Sequence, residues 1–242
     1  MTTTMQASWH PKVFVGAYTG SMDPQIPPTM YRPSPVAVEI ADGIGLGLDG
    51  QTLIVGQGAD SCSITGHLQN DGSDGGPPVL YPQRDFTVDT KGNTTAVNGY
   101  FDWQNYKLIR SGDKVGIQQA TPDFSSTVTD SGKHIHVDGA FPAQRYDIDE
   151  SDPNVTRVKG YSGNESADVT YAQNKVTIQG NTPERTFEIT KTANGLHVAG
   201  FRDDGNGGVR DNPVNTYDIT FTKAGFDIQG YYPQQHYVIN RA

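Results

Sequence analysis

The chain of 242 residues has one cysteine, Cys62, so no intrachain disulfide staples it and stability has to come from packing. Tryptophan is scarce too, with only Trp9 and Trp103. Long apolar runs are absent: those at 36–40 and 53–55 fall far below the roughly 20 residues of a membrane-crossing helix. Strands of about six residues are also shorter than the roughly 9–11 that span a bilayer as a barrel, so no membrane insertion is expected. Basic residues are outnumbered, 18 Lys and Arg against 27 Asp and Glu, for a net charge of −9. With no basic patch to offset this, the chain repels nucleic-acid backbones and anionic membranes, and no nucleic-acid partner is expected. The first residues lack a basic segment followed by an apolar core, so the expectation is a cytoplasmic or non-classically exported protein. Apolar residues never recur at helical spacing over a dozen residues without an interrupting Gly or Pro. There is no Gly-x-Ser-x-Gly, phosphate loop or dinucleotide glycine motif, which leaves little foothold for nucleophilic or nucleotide chemistry.

What the chain has instead is 28 glycines, 15 prolines and a repeat of about twenty residues. Pro82, Pro142, Pro183, Pro213 and Pro233 precede Phe86-x-Val88, Tyr146-x-Ile148, Phe187-x-Ile189, Tyr217-x-Ile219 and Tyr237-x-Ile239. A second strand follows each Gly/Asn-rich turn: Ile135-x-Val137, Val176-x-Ile178, Leu196-x-Val198 and Phe226-x-Ile228 close on Gly139, Gly180, Gly200 and Gly230. Alternation of period two gives each strand one apolar and one polar face, so His136, Thr177, His197 and Asp227 point away from the core. Looser units extend upstream, pairing Val38-x-Ile40 with Leu46-x-Leu48 and Leu53-x-Val55 with Cys62-x-Ile64.

The expected fold is all-β: an antiparallel meander of about ten tandem hairpins, or some twenty strands, over 35–242, with long loops at 69–78 and 201–213. Residues 1–34, rich in proline, read as an irregular N-terminal arm. One barrel of twenty strands would leave a lumen too wide for side chains to fill. The hairpins are therefore expected to close as smaller barrels or a sandwich, or to stack as a solenoid, with a five-bladed propeller as the alternative. In period and glycine placement, units such as Tyr217-Asp-Ile219 through Gly230 resemble cell-wall-binding (choline-binding) repeats and glucan- and toxin-type repeats. That resemblance implies aromatic hairpins stacked along an axis, holding sugars or choline between neighbours.

Three constellations carry candidate chemistry. His134, His136 and Asp138 share a strand face at about 6–7 Å spacing, and His197 occupies the repeat position of His136, so a transition metal is one reading. Asp203, Asp204 and Asn206 lie in an acidic, glycine-rich loop that suits calcium. Otherwise no cofactor is expected. Tyr100, Trp103, Phe141, Tyr161, Tyr231 and Tyr232 follow or neighbour the repeat glycines, where rings beside amides and carboxylates suit a glycan or other small polar ligand. Cys62 falls on an inward position, and Asp147 with Glu188 is the conceivable acid–base pair. The functional expectation is a non-catalytic binding or adhesion module, with carbohydrate as the leading ligand. Alternatives are a self-assembling structural protein using the N-terminal arm and sheet edges, a homo-oligomer among them, and a small-ligand barrel or metal-assisted enzyme.

Overall fold

The structure, a computed structural model, describes residues 9–21, 34–66, 84–120, 125–162, 165–231 and 235–242. These form twenty antiparallel strands and short 3-10 turns. Sixteen strands, from β5 (Cys62–Gly66) through to β20 (Tyr237–Arg241), make a closed meander in which nearly every strand pairs with its neighbours in sequence and β20 returns to β5. The first four, β1 (Val13–Ser21), β2 (Val36–Ala41), β3 (Ile44–Gly47) and β4 (Thr52–Gly56), close separately on themselves.

Four hairpins of the ring are organised by one kind of cross-strand pair, while Gly139 and Gly180 face Ser126 and Ala167 and Tyr106 faces Gln119. In those four, the aromatic that opens the first strand faces the glycine that closes the second: Phe86 opposite Gly99, Tyr146 opposite Gly160, Phe187 opposite Gly200 and Tyr217 opposite Gly230. The ring of the aromatic covers the glycine, so a Cβ on Gly99 would come 2.9 Å from Phe86 and one on Gly230 2.9 Å from Tyr217. The glycine's other side is closed by the residue two before the next strand's opening residue. A Cβ on Gly99 would stand 2.6 Å from that of Gln104, and one on Gly160 2.7 Å from that of Glu165. Close approach, not an unusual dihedral, therefore dictates the repeat glycine. Gln104 and Gln144, both buried, also fix the 3-10 turns, because their Oε1 atoms accept the backbone N–H of Phe101 at 2.9 Å and of Phe141 at 3.2 Å.

The ring closes through the same device, with Tyr237 opposite Gly66. The last unit lacks a second strand and the first ring strand lacks a first, and each completes the other. Residues 53–66, expected as one hairpin, are accordingly divided: β4 pairs with β1 and β3, whereas β5 pairs with β20 and with β6 (Phe86–Lys91). Leu53, Ile54 and Val55 are all fully buried, so this strand needs apolar cover on both faces, which a wall with one wet face cannot give.

That cover is the interior of the ring. Every residue of β3 and β4 is buried. The four-stranded sheet touches the ring around its circumference: Gly58 N donates to Thr95 Oγ1 at 2.8 Å, Gln51 Nε2 donates to Asn215 Oδ1 at 2.8 Å, Gly50 abuts Phe187, and Gly20 abuts Tyr237. Simple geometry agrees, since sixteen strands at ~4.8 Å give a ring about 25 Å across before tilt. Sheet-on-sheet packing of ~10 Å on each side leaves room for a column of about 5–6 Å, close to the width of a closed four-stranded sheet. The difficulty of a lumen too wide to fill is solved by a plug, not by folding the meander flat. Solenoid and propeller arrangements are both replaced by this closed ring.

Two further expectations are corrected. The irregular arm contains the nine-residue strand β1, whose Val13, Val15, Ala17 and Tyr18 are buried. The loop at 201–213 is mostly ladder: β17 (Gly195–Asp203) and β18 (Val209–Phe221) stay paired through Phe201 and Asp211 to Asp203 and Val209, after a bulge near Gly200. The loop at 69–78 lies outside the described residues. Around the ring most outward positions are polar, among them Asp89, Lys107, Gln118, His136, Asp168 and Gln179, while most inward ones are apolar. A bilayer-spanning barrel requires the reverse on its outer wall. Among the described residues no helix is long and apolar enough to cross a membrane.

Candidate functional site

The two ends of the ring differ. At one, the hairpins turn tightly through Gly, Asn and Asp; at the other, longer connections leave the closing glycines and carry aromatic residues. Among the described residues all the exposed large aromatics lie at this second end: Tyr100 (60%), Trp103 (41%), Tyr161 (50%) and Tyr231 (62%). Phe141 stands on the same rim, half-buried. Tyr232 lies outside the described residues.

The rim is ordered by specific contacts. Phe101 stacks on Trp103 with centroids 4.3 Å apart and planes 10° from parallel, and Tyr100 meets Phe101 edge-on at 4.8 Å. The 3-10 turn Asp102–Gln104 sets Trp103 on this connection, and the Trp103 carbonyl accepts a hydrogen bond from Gln119 Nε2 of the next hairpin. Tyr161 is held from its polar end, its hydroxyl donating to Asp147 Oδ2 at 2.5 Å while His136 Nδ1 donates to Asp147 Oδ1 at 2.7 Å. Burial raises the pKa of Asp147, but the Tyr161 and His136 bonds and the charges of His136 and Lys159 outweigh it and hold the carboxyl below its usual range. The bond to Asp147 in turn pushes the Tyr161 phenol up.

The histidines prove to be members of a recurrent cross-strand pair. On β11 (His134–Gly139) and β12 (Tyr146–Asp152), His134 faces Asp149 at 3.5 Å and His136 faces Asp147; His197 faces Asp218 at 2.7 Å, and His236, just before β20, reaches Asp227 at 2.7 Å off the ladder register. His197, on β17, is separated from His134 and His136 by five intervening strands. Among the described residues no three His, Cys, Asp or Glu side chains converge as a metal would require. In the acidic loop the carboxylates serve the turn: Asp203 Oδ1 accepts Gly205 N–H at 2.6 Å, and Asp204 Oδ1 accepts those of Asn206 and Gly208 at 2.7 and 2.9 Å. Those backbone bonds hold the Asp204 carboxyl below its usual range.

Asp147 and Glu188 are not brought together: Glu188 lies on β16 (Thr186–Lys191) and receives Lys175 Nζ at 2.7 Å. Burial, with Asp60 and Asp42 adding to it, pushes the Cys62 thiol up to about 11, which suits inert packing. Sequence reasoning missed the buried glutamines and the His–Asp pairing. The glutamines had a visible signal in Gln104, Gln144 and Gln235, each two residues before a strand-opening tyrosine. The His–Asp partners depend on ladder register and had none.

Fold and rim together define a plugged, closed barrel of hairpin repeats with an aromatic crown at one end. No protein-family model, curated protein or solved structure matches the chain.

Proposed function

We propose that the protein is a non-catalytic binding module, that its working surface is the aromatic rim, and that its ligand is a carbohydrate polymer. The observation that carries this reading is the confinement of every exposed large aromatic among the described residues to one end of the ring. Tyrosine and tryptophan rings cover the C–H faces of sugars while carboxylates and amides at their edges take the hydroxyls. Asp147 supplies such an edge, and by fixing Tyr161 it removes part of the ordering entropy that binding would otherwise cost. The exposed aromatics sit on three connections, Tyr100 and Trp103 sharing one, around a ring about 25 Å across, a layout that favours a ligand with repeated sugar faces, where several weak contacts combine.

Binding to soluble oligosaccharides and to insoluble polysaccharides tests the reading, with wild type compared against Tyr100→Ala/Trp103→Ala/Tyr161→Ala. Retention by at least one polysaccharide, lost in the triple variant while the fold is kept, is the expected result. Absence of glycan binding by the wild type, or equal binding by both proteins, would sink it. Self-assembly keeps one specific support: ring closure removes its sheet edges, but the β17–β18 hairpin projects past the rim with Val209 exposed at its tip. Concentration-dependent association abolished by Val209→Lys would favour that second reading.

A further inference from the structure

The plug does not fill the ring evenly. At the tight-turn end a cavity of about 310 Å³ opens between it and the wall formed by β8 (Tyr106–Ser111) to β12. Val115 and Val128, inward residues of this wall, each keep 6% of their surface, whereas Val97 and Leu108 beside them keep none. The floor is thus apolar, made by Val115, Val128 and Ile135. The mouth is charged with both signs. Arg110, Asp130 and Glu150 continue the inward rows of Leu108, Val128 and Ile148 on their strands, and Lys12 and Glu39 come from the plug.

Most of these groups are already committed. Arg110 Nε donates to Gln57 Oε1 at 2.8 Å, Glu39 Oε1 accepts Gly43 N–H at 3.0 Å, and Asp130 Oδ1 accepts Gly132 N–H at 2.8 Å. The ammonium of Lys12 and the carboxylate of Glu150 are the exceptions: among the described residues neither side chain makes a hydrogen bond or an ion pair. They are near enough to interact, since Lys12 lowers the pKa of Glu150 against burial and Asp130, which raise it. Two opposite charges that face one half-dry space without joining leave a gap that a molecule carrying both charges would bridge.

We propose that this cavity binds a small apolar α-amino acid, its carboxylate toward Lys12, its ammonium toward Glu150 and its side chain on Val115, Val128 and Ile135. The volume stands at the lower end of small-molecule sites, which suits a ligand of this size. This site is at the end of the ring opposite the aromatic rim and is independent of it.

Isothermal titration calorimetry of the full chain tests the proposal with L-leucine, isoamylamine, which lacks the carboxylate, and isocaproate, which lacks the ammonium. Saturable leucine binding is expected, with both analogues weaker by about tenfold or more. Lys12→Met should remove the advantage of leucine over isoamylamine, Glu150→Gln its advantage over isocaproate, and Trp103→Ala should change neither. Both cavity variants alter polar groups at an open mouth, and an unchanged circular dichroism spectrum verifies that they fold. The proposal is overturned if leucine, valine and phenylalanine all fail to bind up to the millimolar range, or if leucine binds both cavity variants as it binds the wild type.

Discussion

Ring and plug are made of similarly short antiparallel strands, yet they obey different rules. In the ring, successive residues alternate between a wet face and a dry one, as in β15 (Lys175–Gly180), where Val176 and Ile178 are buried and Gln179 is exposed. In the plug no such alternation survives, and Leu53, Ile54 and Val55 are equally inaccessible. A strand inside another sheet has no outer face, so its sequence reads as a continuous apolar run with glycines where backbones must approach.

The sharpest way to break this contrast is to place a charge at one buried position of each unit. Ile54→Asp should prevent folding or destabilise by more than about 4 kcal/mol, because either face of β4 buries the charge. Ile178→Asp in the ring should be of similar severity. Denaturant unfolding followed by circular dichroism measures both, and mild tolerance of Ile54→Asp would remove the plug from the interior. Next in size is the repeat pair. Gly99→Ala should lose about 1–3 kcal/mol by overpacking against Gln104 and Phe86. With Gln104→Gly added, the double variant should be more stable than the sum of the two losses, because the Cβ clash is gone.

The seam and the wall should then respond to pH with opposite sign. Glu150, at the plug–ring gap, has its pKa raised by burial and by Asp130. A carboxyl raised on folding favours the native state in full below its unfolded value of about 4.3, and that contribution is lost as pH rises through the folded value. Glu150→Gln should therefore stabilise at neutral pH by less than about 1 kcal/mol, the group being half exposed, and the gain should vanish on acidification. Asp147, on the wall, is shifted down. Its contribution is present above about 3.9 and is lost as pH falls through the folded value, so Asp147→Asn should destabilise near neutrality by under about 1 kcal/mol after screening. Melting temperatures across pH for both variants check the two signs. Smallest of all, Gln179→Ala on the outer face should stay within about 0.5 kcal/mol by the same unfolding assay.

Much of the ring was legible. The alternation placed Val137, Ile178, Val198 and Ile228 inward and His136, Thr177 and His197 outward, as found, and the turns and closing glycines marked the strand ends. In the plug the β2–β3 hairpin was legible, Val38-x-Ile40 with Leu46-x-Leu48, and Val38 does face Leu46; its enclosure was not, because a strand buried on both faces has no period of two to detect. In β1, the apolar run Val13-Phe14-Val15 followed by Gly16-Ala17-Tyr18 was such a strand, obscured by the prolines around it. The split between β4 and β5 was hidden for a different reason: Leu53-x-Val55 and Cys62-x-Ile64 have the spacing of a hairpin, and only the unpaired halves at Gly66 and Tyr237 reveal that β5 belongs to the ring's end. The aromatic positions of the rim were read correctly as neighbours of the glycines, while their gathering at one end followed from closure, which depends on contacts far apart in sequence.

The pairing of Tyr237 with Gly66 also dictates when this molecule can finish folding. The strand that seals the ring follows all the other ring strands in sequence, whereas β1 to β4 precede the walls that enclose them. Until β20 is in place, the chain exposes two open ladder edges and an uncovered apolar centre, and the decisive contact joins strands far apart in sequence. Slow final assembly, and aggregation of chains truncated before β20, are expected consequences of joining the ring between its first strand and its last.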